Sequence, residues 1–382
     1  MEPARPNRMA YVDNLRLLLI VLVLGTHSAI TYSGLGSWYY TQPLPLSVAS
    51  RFSFLMLEVF FQAFFMDALF MLAGYFAAAS LSKRGPAEFA KGRLFRLGAP
   101  TLFYMVCIHP LTVYYLARSP LALARGSFVT YYLAYLAGGR MIAGTGPMWF
   151  ALALLVFSLA LAAARAWPGG LSLERRPRPF APRLAAYLIA AVSLIAFSLR
   201  LVWPIGTSVL NMQLCFFAGY VVMFSFGIAA YRFDWLRVLD YRAGRRFLLC
   251  GLCLWPALGL LLTLTGAVTG PLDPLLGGPH WQSAALCLWQ SATGVCMSLG
   301  LACVFREKCN ASTPMLGLLT GNAFAVYVFH PPILVALARL LDPVDGPPVA
   351  KFLLLYALAL PVCFAVARLL TRVPGLREVL RQ

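Results

Sequence analysis

The sequence predicts an all-α polytopic membrane helix bundle with about ten transmembrane helices, and three observations predict it. First, 61% of the 382 residues are hydrophobic and only 12% are charged. Soluble domains are about half apolar and about a quarter charged. Mean hydropathy is correspondingly high, at +0.77. Second, ten apolar runs are long enough to cross a bilayer, which takes roughly 20 residues each. Third, the cations alternate between the connecting segments in the way that membrane topology requires.

In chain order, the runs span residues 12–32, 52–82, 98–117, 147–166, 184–203, 209–231, 247–268, 282–304, 316–338 and 350–371. The first carries Arg16 and His27 and lacks a small-residue cleavage site, so it reads as a spanning helix rather than a signal peptide. The second is long enough to tilt or to run past the membrane surface. With the N-terminus placed in the cytoplasm, 22 of the 31 Lys and Arg fall in inner segments. Seven (Arg51, Arg118, Arg125, Arg140, Arg200, Arg339 and Lys351) fall at the outer side. Losing or splitting one run would destroy this alternation, so both termini are expected inside, and the chain is expected in the cell inner (plasma) membrane. The same topology explains the net charge of +18 without nucleic acid. In the first outer loop, Trp38, Tyr39 and Tyr40 read as interfacial anchors, the alternative being a platform for stacking a sugar. Most of the nine cysteines lie within apolar runs and read as small packing residues, and Cys250-x-x-Cys253 lacks the context of a redox motif.

Ionisable groups at membrane depth are costly and therefore informative. Arg16 and His27 are eleven residues apart. That is close to three helical turns, so they share a face about 16 Å apart along the axis. Glu58 on the second run is expected near His27, where a carboxylate would fix its tautomer. Asp67 is expected nearer the middle, within reach of Arg16 as a structural ion pair. His330 is followed by Pro331 and Pro332, and His109 by Pro110; these prolines free carbonyls and kink helices, and irregular backbone at this depth lines cavities. After the second run, Lys83, Arg84, Lys91, Arg93 and Arg96 form an inner basic loop. Arg93 and Arg96 share a helix face that suits phosphate, the alternative being plain inner-side charge. His27, His109, His280 and His330 lack metal-ligand spacing, so no metal is expected.

Four stretches together resemble the acyltransferase 3 family of integral membrane acyltransferases. They are YVDNLRLLLIVLVLGTHSAITY (11–32), with its Arg16/His27 spacing, and FFMDALFMLAGYFAAASLSKRGPAEFAKGRLFRLGAP (64–100), with Gly-Tyr-Phe and the Arg93/Arg96 pair. GPMWFALALLVFS (146–158) contributes Trp149, and NAFAVYVFHPPILV (322–335) contributes Tyr327 and His330. The first stretch and the length are most similar to the branch with periplasmic-glucan succinyltransferases. The chain departs at Ala73, where the family often has Ser, and at Pro147, where many members have His. No appended SGNH-type domain is expected after the tenth run.

The resemblance implies a 12–371 acyltransferase domain between cytoplasmic tails 1–11 and 372–382. It also implies transfer of an acetyl or succinyl group from cytoplasmic acyl-CoA to a hydroxyl of an extracytoplasmic carbohydrate. No tightly bound cofactor is expected; acyl-CoA is the donor substrate. On this reading His27 is the general base, Arg16 orients the donor, and Arg93 and Arg96 hold the CoA phosphates. Glu58, Asp67, Trp149, Tyr327 and His330 are candidates for substrate binding. Direct transfer and a covalent acyl-His27 intermediate both fit. A transporter of a glycan or lipid is the alternative class, because intramembrane charge and proline-broken helices also serve transport.

Overall fold

The computed structural model describes residues 9–42, 44–117, 126–376 and 380. The expected outer cations Arg118 and Arg125, the inner cations Arg5, Arg8, Arg377 and Arg381, and Pro43 of the first outer loop lie outside the described residues. The described residues form helices and loops with no β-strand, and ten helical spans are long and apolar enough to cross a membrane. Large apolar side chains face outward along them, Leu94, Phe95, Leu102, Leu194, Leu252 and Leu260 among them. Lipid solvates such side chains where water would not.

The first span, α1 (Ala10–Ser33), ends at Gly34, whose φ of 65° gives a left-handed cap. The second span is two helices rather than the single long helix expected: α2 (Val48–Gln62) and α3 (Phe65–Leu81), broken at Ala63 and Phe64. The break starts a new helix just before Asp67, which therefore stands in a first turn, where the helix dipole favours a carboxylate. The third span, α4 (Pro86–Ala117), begins twelve residues earlier than its apolar run, so Arg93 and Arg96 lie on a span rather than in a loop. Its polar first turns hide it from a hydropathy reading. Three π-helical stretches interrupt it, Leu94–Gly98, Tyr104–Ile108 and Thr112–Ala117. A short helix, α5 (Phe128–Ala137), follows. The remaining spans are α6 (Trp149–Ala166), α7 (Arg183–Arg200), α8 (Phe217–Arg232), α9 (Tyr241–Leu264), α10 (Trp281–Lys308), α11 (Pro314–Leu340) and α12 (Pro348–Leu370).

Helix α1 is central, packed by α2, α3, α10, α11 and α12. Helices α3 and α8 approach most closely. A Cβ on Gly74 would overlap the Phe224 carbonyl, and one on Gly227 the Met71 carbonyl. The glycine of the Gly-Tyr-Phe motif is thus a packing requirement, the small-residue contact that lipid-embedded helices use in place of hydrophobic drive.

Contacts between loops confirm the alternation of the spans. At one end Tyr40 Oη donates to Asp342, Arg51 to the Gly270 carbonyl, and Asn211 to the Gly146 carbonyl. At the other end Asn14 donates to the Cys309 and Ala311 carbonyls, and Arg306 to those of Leu236, Arg237 and Leu239. The first is the aromatic end, with Trp38 to Tyr40; the second is the basic end.

Candidate functional site

The site is built on a proline. Pro331 has no N–H, so the carbonyl of Tyr327, four residues earlier, loses its helical partner. A carbonyl left unpaired at membrane depth is expensive. His330 supplies the donor: its Nδ1 lies 2.8 Å from the Tyr327 oxygen. Since a carbonyl only accepts, Nδ1 of His330 carries hydrogen, and neutral His330 presents Nε2 as an acceptor. That Nε2 is 2.9 Å from Nδ1 of His27. His27 must then donate from Nδ1, which leaves its Nε2 with a lone pair. The hydrogen-bond network therefore assigns both tautomers. The same logic repeats at His109-Pro110: in the π-turn before it the Met105 carbonyl is freed, and Tyr135 Oη donates to it at 2.7 Å.

The His27 ring points into the bundle, not into lipid. It is coplanar with His330 within 5°, and Trp38 stacks on it with ring centroids 3.9 Å apart. The expected interfacial anchors are a strap across the site. Beside Trp38, Tyr39 Oη lies 2.8 Å from both Tyr104 Oη and His109 Nδ1. Tyr40 donates to Asp342 at 2.6 Å, and Arg339 lies 4.0 Å over its ring. Burial first, then the hydrogen bond and charge of Asp342, push the Tyr40 phenol up to about 12. Arg339 also donates to the Leu116 and Ala117 carbonyls, capping the C-terminus of α4.

Two expected pairings are corrected. Glu58 does not partner His27. Its carboxylate accepts from Ser33 Oγ at 2.7 Å, and Ser33 Oγ accepts from the Leu35 N–H, so Glu58 fastens the start of the strap. The place expected for a carboxylate beside His27 is taken by His330, because the proline-freed carbonyl turns that ring towards α1. Asp67 does not pair with Arg16. Arg16 lies 3.9 Å from Asp13 and 4.9 Å over the Phe76 ring at the basic end, whereas Asp67 points between Gly219 and Gly294 on α8 and α10. The break before α3 turns it away from α1.

The other candidates separate into two groups. Tyr327 donates from Oη to the Pro147 carbonyl, joining two motif stretches and placing its ring beside His330. Trp149 packs on Tyr220, Phe150 and Phe217 rather than on the histidines. At the basic end, Arg93 lies within electrostatic range of Arg96, Arg16 and Arg84, so the guanidiniums of α1 and α4 gather as one cluster. Arg93 and Arg96 have no carboxylate partner among the described residues. They do not share a face fully: Arg93 is half-buried over Phe89, while Arg96, in the wider π-turn, is exposed. Sequence reasoning missed the roles of Trp38, Tyr39, Ser33 and Tyr104. The only available signal was an aromatic run immediately after the helix that bears His27.

A ten-span bundle with an oriented imidazole pair near one end and a cluster of guanidiniums at the other defines a multi-pass membrane protein with an internal site. The family model of the acyltransferase 3 family, an acyltransferase domain, matches residues 9–368, nearly the whole chain, and the protein belongs to that family. It is an integral membrane acyltransferase. No curated protein and no solved structure matches the chain.

Proposed function

We propose that the protein moves an acetyl or succinyl group from acyl-CoA, bound at the basic end, to a hydroxyl of a glycan or related acceptor that enters from the aromatic end. The basic end is cytoplasmic on this reading, and the membrane is the inner (plasma) membrane. The observation that carries the proposal is the chain from the Tyr327 carbonyl through His330 to His27, which leaves one lone pair on His27 Nε2. A base needs a lone pair and a fixed direction, and this chain supplies both.

The steps balance as follows. The acceptor hydroxyl gives its proton to His27 Nε2 as its oxygen attacks the thioester carbonyl carbon. The carbon–sulfur bond then breaks, and the departing CoA sulfur takes the proton from Nε2. His330, accepting from Nδ1 throughout, keeps the ring oriented. Both nitrogens of His330 are engaged, which suits it to support rather than to stabilising an oxyanion. Arg93 and Arg96 hold the donor phosphates, because guanidinium forks match phosphate oxygens, and the nearby charge of Arg16 adds to the attraction.

The test is His27→Ala in purified protein. Acyl-CoA binding should persist while transfer falls by about 10²-fold or more, the range for losing a general base. Normal turnover in that variant would end the proposal.

A further inference from the structure

Arg200 is at odds with its position. It stands in the last turn of α7, close to the aromatic end. From there a guanidinium can snorkel into the headgroups at little cost. Its side chain instead turns into the bundle and is 1% exposed. Nη2 donates to Gln290 Oε1 on α10, and the guanidinium lies 5.6 Å over the Phe216 ring. Nε and Nη1 have no hydrogen-bond partner of good geometry, although the Cys287 thiol lies beside the guanidinium. Such orphaned charged donors are among the most expensive groups a protein can bury.

The same guanidinium lines a partly open cavity of about 30 Å³, together with Asp67, Gln62, Tyr220, Ser291 and Cys287. Among the described residues, Asp67 and Arg200 are the only Asp, Glu, Lys or Arg on its wall. No ion pair joins them directly among the described residues. Room for the Asp67 carboxylate is made by Gly219 and Gly294, where a Cβ would overlap its oxygens. Aromatic rings separate this chamber from the histidine pair: Tyr220 stacks on Trp149 and Phe70, and Phe150 stands between Phe70 and Tyr327.

An ordered water needs roughly 10–15 Å³ measured this way and two to four polar partners. The chamber meets both conditions for about two waters. We propose that it is a hydration site in which ordered water bridges ionised Asp67 to Arg200, a water-mediated ion pair tying α3 to α7 and α10. The two charges cancel, the orphaned donors gain acceptors, and the carboxylate gains donors. With Asp67 ionised, a small anion would leave the chamber with net negative charge, which the low dielectric penalises.

The experiment measures thermal midpoints of the full chain in detergent for Asp67→Asn, Arg200→Met and the double variant, in chloride and in gluconate. Each single change strands one charge and should lower the midpoint by about 5 °C or more. The double variant should recover at least half of that loss, and the anion should not matter. Additive losses would overturn the proposal. So would a chloride-dependent midpoint that Arg200→Met abolishes and Asp67→Asn keeps, since that marks a small-anion site. Radiolytic hydroxyl labelling of the wild type needs no variant: buried Tyr220 should be oxidised by the bound water, and an unlabelled Tyr220 refutes the site.

Discussion

The histidine pair at one end of the bundle and the arginine pair at the other treat their polar groups in opposite ways. At the aromatic end each nitrogen of His330 and Nδ1 of His27 has one assigned partner, and Trp38 fixes the ring plane. At the basic end Arg93 and Arg96 have no carboxylate partner among the described residues and repel one another. On the proposed function, the difference is what the two tasks require. A reagent that moves a proton must be oriented before substrate arrives, so the nitrogens that orient it are engaged. A site for a polyanion must keep its donors free, and the cost of gathering like charges is recovered only when phosphate binds.

The sharpest way to break this comparison is His330→Phe, which keeps a ring against His27 but removes its acceptor. Transfer should fall by about 10²-fold, close to the loss for His27→Ala, with acyl-CoA binding intact. Activity within a few-fold of wild type would mean that the pair is packing, not a relay. At the opposite end, the double change Arg93→Ala with Arg96→Ala should raise the Michaelis constant for acyl-CoA by roughly tenfold or more, as expected for lost charge-assisted bonds, and leave kcat largely unchanged. An unmoved constant would reject phosphate binding there.

Pro331→Ala is subtler. It restores an N–H that competes for the Tyr327 carbonyl, so His330 loses its fixed tautomer while the helix gains a bond. Activity should drop about tenfold, the effect of disturbing a supporting partner, without loss of stability. A less stable protein would show that the proline serves the fold rather than the imidazole. The smallest effect concerns the strap. With the Tyr40 phenol raised to about 12, its bond to Asp342 is fully present below the ordinary tyrosine pKa and is lost only as pH rises through 12. Fluorescence of Trp38, read as the difference from Trp38→Phe, should therefore be flat between roughly pH 6 and 9. A transition in that window would mean that another group holds the strap.

Ten spans, their order and the positions of His27, His330, Arg93 and Arg96 were legible because each rests on local pattern: run length, charge alternation and motif spacing. Partners were not. Depth along the helix puts Glu58 level with His27, but depth sets height and not azimuth. Nothing in FFQAFFMD announces a broken helix, so the sequence alone leaves Asp67 facing Arg16. The residue number of Arg200 gives its depth, which suits a cation at the membrane surface, and not the direction of its side chain.

By itself, then, the sequence determined that this chain lives in a bilayer, which segments cross it, and that Pro331 must release a carbonyl beside His330. Those facts follow from hydration cost and covalent structure, which act within a few residues. Only the tertiary structure decided that the released carbonyl orients two imidazoles in series, that the loop bearing Trp38 closes over them, and that the Arg200 guanidinium turns inward to line a cavity with Asp67. These depend on helix rotation and packing between segments distant in the chain, where hydrogen bonds and close contacts select one arrangement among many of similar hydropathy.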